Sequence, residues 1–270
     1  MKLAISNIAW DSSENLVVYS LMKRYGIEGL EIAPTKFFPK DPYLQDKIIL
    51  SNLKKEVEEK ELKIVSMQSI LFGRNDLKLF EGSEKREELL DYLKKGVLFA
   101  KELGIKNIVF GNPKNRISIS DLDYEIALSF FDELGDFAYK NNVYIGIETN
   151  PEIYDCNFLT KTLDTIAFIN KCSSEGIGLN LDIGAMLVNK ENIDILEKIS
   201  IDKISHVHIS EPYLNKIDIA NKEFHKSIFK YLKEKNYTNY ISIEMKQQNN
   251  EDIEEVLKYI SELSKEVENE

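Results

Sequence analysis

The sequence predicts the α/β class and, within it, a single-domain (β/α)8 TIM barrel spanning residues 1–270. Three observations lead there. Short apolar runs rich in Ile, Val and Leu alternate with longer amphipathic, charge-rich segments along the whole chain. The alternation repeats eight times, the number of strand–helix units that closes a parallel barrel through right-handed crossovers. Barrels of this kind also take about 250 residues, close to the 270 present.

In chain order, the candidate strands are Leu3–Ile8, Gly29–Ile32, Ile64–Gln68, Asn107–Gly111, Tyr144–Glu148, Gly178–Asp182, Ser205–Ile209 and Tyr240–Glu244. The clearest helical patterns are Lys85–Leu103, Leu122–Lys140, Lys161–Cys172, Glu223–Glu234 and Asp252–Leu263. A doubly wound open sheet shares the alternation but carries a Gly-rich phosphate loop after its first strand. Here that turn reads Ser6-Asn7-Ile8-Ala9-Trp10. The segment Ala33–Pro42 holds three prolines and reads as a mouth loop. No linker or low-complexity stretch marks a second domain, and the charged tail beyond Leu263 is expected to fray.

Charge narrows the partners. With 46 Asp and Glu against 35 Lys and Arg, the formal charge is −11. Nucleic acid is therefore excluded as the expected partner, because a phosphate backbone is held by clustered Lys and Arg. A small molecule is the better fit. Cys156 and Cys172 match neither a disulfide framework nor a paired metal-binding spacing, as a reducing compartment allows. Met1–Trp10 lacks the apolar core of a secretory signal, and no run approaches the roughly 20 apolar residues that span a bilayer. A soluble cytoplasmic protein without a membrane partner is the expectation.

Side-chain parity places the chemistry. Successive residues of a strand face opposite sides, and a barrel strand turns its apolar side to the helices. In Tyr144-Ile145-Gly146-Ile147-Glu148 the two Ile face outward, which turns Glu148 inward. The same rule turns Asp182 inward from Leu179-Asn180-Leu181-Asp182, Glu244 from Ile241-Ser242-Ile243-Glu244, and His206 and His208 from His206-Val207-His208-Ile209. Four adjacent strands each deliver one metal-type donor at the carboxyl end, above a layer of Gly146, Asn180, His206 and Ser242 where bulky branched residues are usual. The plainer reading makes these groups salt bridges with His208 and lysines. Three carboxylates in one low-dielectric volume repel by several kcal/mol, more than one imidazole balances. One divalent metal ion balances them, and the mixed oxygen and nitrogen donors suit Mn, Mg, Co or Zn.

These residues resemble the sugar phosphate isomerase/epimerase family, the xylose isomerase-like barrels that include ketose 3-epimerases. The resemblance covers essentially the whole chain. It rests on Gly29-Leu30-Glu31, Gly146-Ile147-Glu148-Thr149-Asn150-Pro151, Leu181-Asp182-Ile183-Gly184, His206-Val207-His208-Ile209-Ser210-Glu211 and Ile241-Ser242-Ile243-Glu244, in that order at strand ends. It implies that Glu148, Asp182, His208 and Glu244 bind the metal and that Glu148 and Glu244 also act as an acid/base pair. The implied reaction removes a proton α to the carbonyl of a sugar or sugar phosphate through an enediolate. Family members are often dimers or tetramers, so a homo-oligomer is implied as well. Three departures concern the substrate side. Ala185 stands where many epimerases have a substrate-touching His, Glu211 where an Asp is common, and Pro212-Tyr213-Leu214-Asn215-Lys216 replaces an Arg- and Gly-rich stretch.

Other residues are candidates for substrate contact. Parity turns Glu31 and Gln68 inward on the second and third strands. Glu211, with Ser210, is placed to orient the ligand imidazole or to meet substrate. His225 follows the seventh strand, as substrate contact or surface residue, and Arg116 and Lys246 are rim cations for a phosphate or carboxylate. His206 reads as a satisfied barrel histidine, and Trp10 and Phe72 as apolar walls or loop packing. Two alternatives stay open: a metal-dependent dehydratase or lyase of a polyol or inosose, and a sugar-binding barrel without catalysis. An apurinic-site endonuclease fits poorly with three histidines and a negative charge.

Overall fold

Apolar side chains on alternate strand positions and on one stripe of each helix leave one arrangement that buries both, a sheet closed on itself inside a ring of helices. The computed structural model describes all residues 1–270 and shows this arrangement, a closed barrel in which consecutive strands pair in parallel and the eighth returns to the first. The strands are β1 (Lys2–Ser6), β2 (Gly29–Ile32), β3 (Lys63–Met67), β4 (Asn107–Phe110), β5 (Tyr144–Glu148), β6 (Ile177–Asp182), β7 (Ile204–Ile209) and β8 (Tyr240–Ile243). One helix follows each: α1 (Asn15–Tyr25), α2 (Lys47–Glu58), α3 (Ser83–Leu103), α4 (Asp123–Lys140), α5 (Thr162–Lys171), α6 (Ile183–Asn189), α7 (Lys222–Glu234) and α8 (Asn250–Asn269). The predicted strands are all present, with ends shifted by one or two residues. The first stops at Ser6 because Asn7–Ala9 tightens into a 3-10 turn.

Local chemistry sets the helix ends. Helices α1 and α3 stop at Gly26 and Gly104, which take φ of 73° and 79°, left-handed values that a residue without Cβ adopts at low cost. Outside the barrel, aromatic rings interlock: Phe110 of β4, Phe131 of α4 and Phe168 of α5 meet edge to face at 5.1 and 5.8 Å. No helix is long and apolar enough to cross a membrane.

Register brings the carboxyl-end residues to one level. Glu148 pairs with Asn180, Asp182 with His208, and His208 with Ser242. Strands in a closed barrel tilt and stagger, so groups level around the axis lie progressively further along successive strands. Asp182 lies two residues beyond the partner of Glu148, and Glu244 two beyond the partner of His208.

The tail departs from expectation. Helix α8 continues to Asn269 instead of fraying after Leu263. Val267 is 1% exposed in the core, Lys226 bridges Glu266 and Glu270 at 2.5 and 2.6 Å, and the amino terminus pairs with Glu268. Exposed ion pairs contribute little each, so the buried Val267 is the main anchor. Val267→Asp is expected to lower unfolding free energy by about 2–4 kcal/mol in urea melts. A change within about 0.5 kcal/mol would mean a tail that does not pack.

Candidate active site and metal centre

At the carboxyl end of the barrel, Glu148 of β5, Asp182 of β6, His208 of β7 and Glu244 after β8 turn inward as parity predicts. Each offers a donor atom, and these atoms lie within 4.8 Å of one another. Nδ1 of His208 is the hub, 3.0 Å from Glu148 Oε1, 3.2 Å from Glu244 Oε2 and 3.9 Å from Asp182 Oδ2. His208 is fully buried, while Glu148 and Asp182 keep side chains 11% exposed toward the mouth.

The other imidazole nitrogen decides why Nδ1 faces the ring. Glu31, at 0% exposure, places its two oxygens 3.0 and 3.1 Å from His208 Nε2. A carboxylate there accepts the Nε2 proton, so the proton that the imidazole would give up to a metal is the one on Nδ1, the nitrogen that faces the ring. Glu31 is therefore an orienting group sealed beneath the ring, where no substrate reaches it. Glu31 Oε2 also lies 2.9 Å from His206 Nε2, a close contact without hydrogen-bond alignment.

Charge in the ring is unbalanced. Burial, then Glu148 and Glu244, push the Asp182 carboxyl up to about 8. Burial also raises Glu244, against the pull of His208. Burial opposes charge on His208, but Glu244 and Glu31 outweigh it and hold the imidazolium well above its usual range. In other words, the ring holds protons where a cation would relieve it. The donor set, its spacing and this charge excess fit a divalent metal.

Each carboxylate is also steered. Asn180 Nδ2 donates to Glu148 Oε1 at 2.6 Å, and Gln68 Nε2 donates to Glu244 Oε1 at 2.7 Å and to Ser6 Oγ at 2.9 Å. Ser210 Oγ donates to Asp182 Oδ2 at 2.7 Å, and the Ala185 amide donates to Asp182 Oδ1 at 2.5 Å at the start of α6. Gly111 leaves room for Glu148, since a Cβ there would come 1.9 Å from Glu148 Oε2.

Above the ring opens a cavity of about 250 Å³, lined among others by Gln68, Asn112, Asn150, Tyr154, Glu211 and Leu214. Tyr154 closes one side, its hydroxyl accepting from the Tyr213 amide at 2.8 Å. Gln68 and Glu211 both stand in the cavity lining. Glu211 does not orient His208, because its oxygens accept from Asn221 Nδ2 at 2.8 and 3.0 Å and from the Asp218 amide at 3.1 Å. Three predicted contacts fall elsewhere. Arg116 is fully buried and its Nη2 donates to the Glu148 carbonyl at 2.6 Å, behind the cavity wall. Lys246 is exposed and donates to Asn215 Oδ1 at 2.7 Å, outside the lining. His225 is buried, neither surface nor mouth, with Nδ1 3.1 Å from the Tyr259 hydroxyl and Nε2 3.5 Å from Glu211. Trp10 packs at 1% exposure and Phe72 stands 71% exposed, so neither walls the cavity. Sequence reasoning missed Asn112, Asn150 and Tyr154, which sit on loops without periodicity. It placed Asn180 inward without seeing that it holds Glu148.

The barrel superposes on solved structures over nearly its whole length. L-Ribulose 3-epimerase matches with a TM-score of 0.79 and 16% identity, covering 100% of this chain and 96% of that one. D-Psicose 3-epimerase from Clostridium cellulolyticum H10, solved with D-tagatose, gives 0.78 and 14%, with 99% of each chain covered. The IOLI protein with a bound zinc atom gives 0.70 and 19%, covering 99% and 96%. Among curated proteins, none matches the chain in sequence. Residues 19–263 match the family described as the xylose isomerase-like TIM barrel, and the chain belongs to that family.

Proposed function

We propose that the protein is a divalent-metal-dependent epimerase or isomerase of a small, uncharged sugar, moving a proton α to a carbonyl. The observation that carries this reading is the pair Glu148 and Glu244, which flank the Nδ1 face of His208 at the cavity floor with donor oxygens within 4.8 Å. Binding alone has no need of two carboxylates so placed. Glu148, Asp182, His208 and Glu244 would hold the metal, and a divalent cation supplies Lewis-acid polarisation of a bound carbonyl. One glutamate takes the proton from the carbon beside the carbonyl, and the other returns one to the opposite face or to the adjacent carbon. Asn180 and Gln68 keep the two carboxylates aimed, and Arg116 fixes the backbone at Glu148. The cavity is lined by Glu148, Asp182, Glu211 and Glu244 and by no Lys or Arg, which disfavours a phosphorylated substrate and favours a free sugar.

Four measurements test this. A panel of free ketoses, inososes and their phosphate esters in deuterated water should show label entering a neutral substrate, with the phosphate esters turned over more slowly. Net loss of water would make the enzyme a dehydratase, and binding without exchange would make it a sugar-binding barrel. Glu148→Gln and Glu244→Gln are each expected to lower exchange by about 10²–10⁴-fold, and an unchanged rate removes that residue from proton transfer. After chelation, readding Mn, Mg, Co or Zn should raise the thermal midpoint of the native chain and leave Asp182→Asn unmoved. Gly111→Ala displaces the Glu148 carboxylate and should cut kcat by about tenfold or more while circular dichroism stays native.

A further inference from the structure

A sugar in the mouth cavity presents hydroxyl protons, which the four acids of the lining accept, and hydroxyl oxygens, which need donors of their own. We propose that the Tyr154 hydroxyl is such a donor, giving its proton to a hydroxyl oxygen of the bound sugar and so helping to decide which sugar the site accepts, an assignment that rests on the neutral-sugar reading above.

Most donors in the lining are already engaged within the chain. Gln68 Nε2 is held by Glu244 and Ser6, and Ser69 Oγ donates to Gln68 Oε1 at 2.7 Å. Thr149 Oγ1 pairs with Thr165 Oγ1 at 2.9 Å, Asn150 Nδ2 donates to the Thr149 carbonyl at 3.0 Å, and Ser210 Oγ donates to Asp182. Two side-chain donors remain, the Asn112 amide and the Tyr154 hydroxyl. Asn112 buries its Oδ1 without a partner, and no contact fixes how its amide turns. Tyr154 is aimed. Its oxygen accepts from the Tyr213 amide at 2.8 Å, which leaves the phenolic proton to be donated.

The fold also brings Tyr154 to where a donor is missing. β6 runs straight into α6, where Asp182 caps the helix by accepting from the Ala185 amide and the Ala185 methyl is buried, so that unit has no loop to overhang the cavity. Tyr154, after β5, and Tyr213, after β7, meet across the gap, their rings edge to face at 5.8 Å and 88°. Tyr213 and Leu214 take φ of 60° and 51°, two consecutive left-handed residues with side chains, and the Lys246 amide holds this turn by donating to the Leu214 carbonyl at 2.7 Å. The strained turn presents the Tyr213 amide to the phenol. Burial raises the phenol first, the Tyr213 amide opposes this, and the Asp182 and Glu244 carboxylates raise it further, so the hydroxyl feels the charge of the ring and stays protonated at neutral pH.

Calorimetric titration of the Mn-loaded full chain with free ketopentoses and ketohexoses, and then with the monodeoxy forms of the sugar that binds best, tests the assignment. Tyr154→Phe keeps the ring and its packing and is expected to weaken the parent sugar by about three- to tenfold, with native circular dichroism. One monodeoxy sugar should lose about as much affinity for the native chain, and should bind the native chain and Tyr154→Phe alike. A purely structural Tyr154 would instead weaken every analogue by the same factor. That result, unchanged binding in Tyr154→Phe, or a native chain that binds none of these sugars would each overturn the proposal. The epimerase reading fails separately, on exchange: coupled losses without α-proton exchange would leave Tyr154 as the donor of a barrel that binds sugar and does not epimerise it.

Discussion

Everything at the mouth depends on one contact, the Glu31 carboxylate on Nε2 of His208 at 3.0 Å. It removes the ambiguity of the imidazole by holding the proton on the lower nitrogen, and it leaves Nδ1 facing three carboxylates. Glu31 sits at 0% exposure among Ser242, His206 and His208, so its charge is shielded by imidazoles and not by water. Burial alone would raise its pKa, but His208 and His206 reverse this and hold it far below the usual carboxylate range. An anion fixed in that way keeps the ring oriented whether or not the upper face is filled.

The upper ring has the opposite character. Its carboxylates are held close by barrel geometry and by neutral amides, Asn180 and Gln68, which direct them without cancelling their charge. A buried set of this kind costs stability as it stands, and barrels accept such costs where they perform chemistry, at the carboxyl ends of the strands. Arg116 fits the same pattern. Its Nη2 donates to the Glu148 backbone carbonyl and not to the carboxylate, whose charge it leaves unpaired.

Much of this was legible in the sequence because period-two alternation is a strong signal. Ile145 and Ile147, Leu179 and Leu181, and Ile241 and Ile243 fixed the outward face, and Glu148, Asp182 and Glu244 followed by parity. The same reasoning turned Glu31 inward but could not give its depth, because depth depends on barrel stagger and not on alternation. Beyond the strand ends the signal fades. Arg116 and Lys246 read as rim cations from their distance past a strand, whereas loop folding buries the first under Glu148 and turns the second toward Asn215. Tyr154 and Asn150 meet the cavity through turns that no hydrophobic period encodes. The tail beyond Leu263 looked solvated because its charges outnumber its apolar residues, yet Val267 alone keeps the helical stripe in register with the core.

The most direct test of the central claim is metal stoichiometry, measured by elemental analysis of the purified chain alongside His208→Ala. The account predicts one divalent ion per native chain and none in the variant. A native chain that takes up no ion, or a variant that retains a full equivalent, would contradict it.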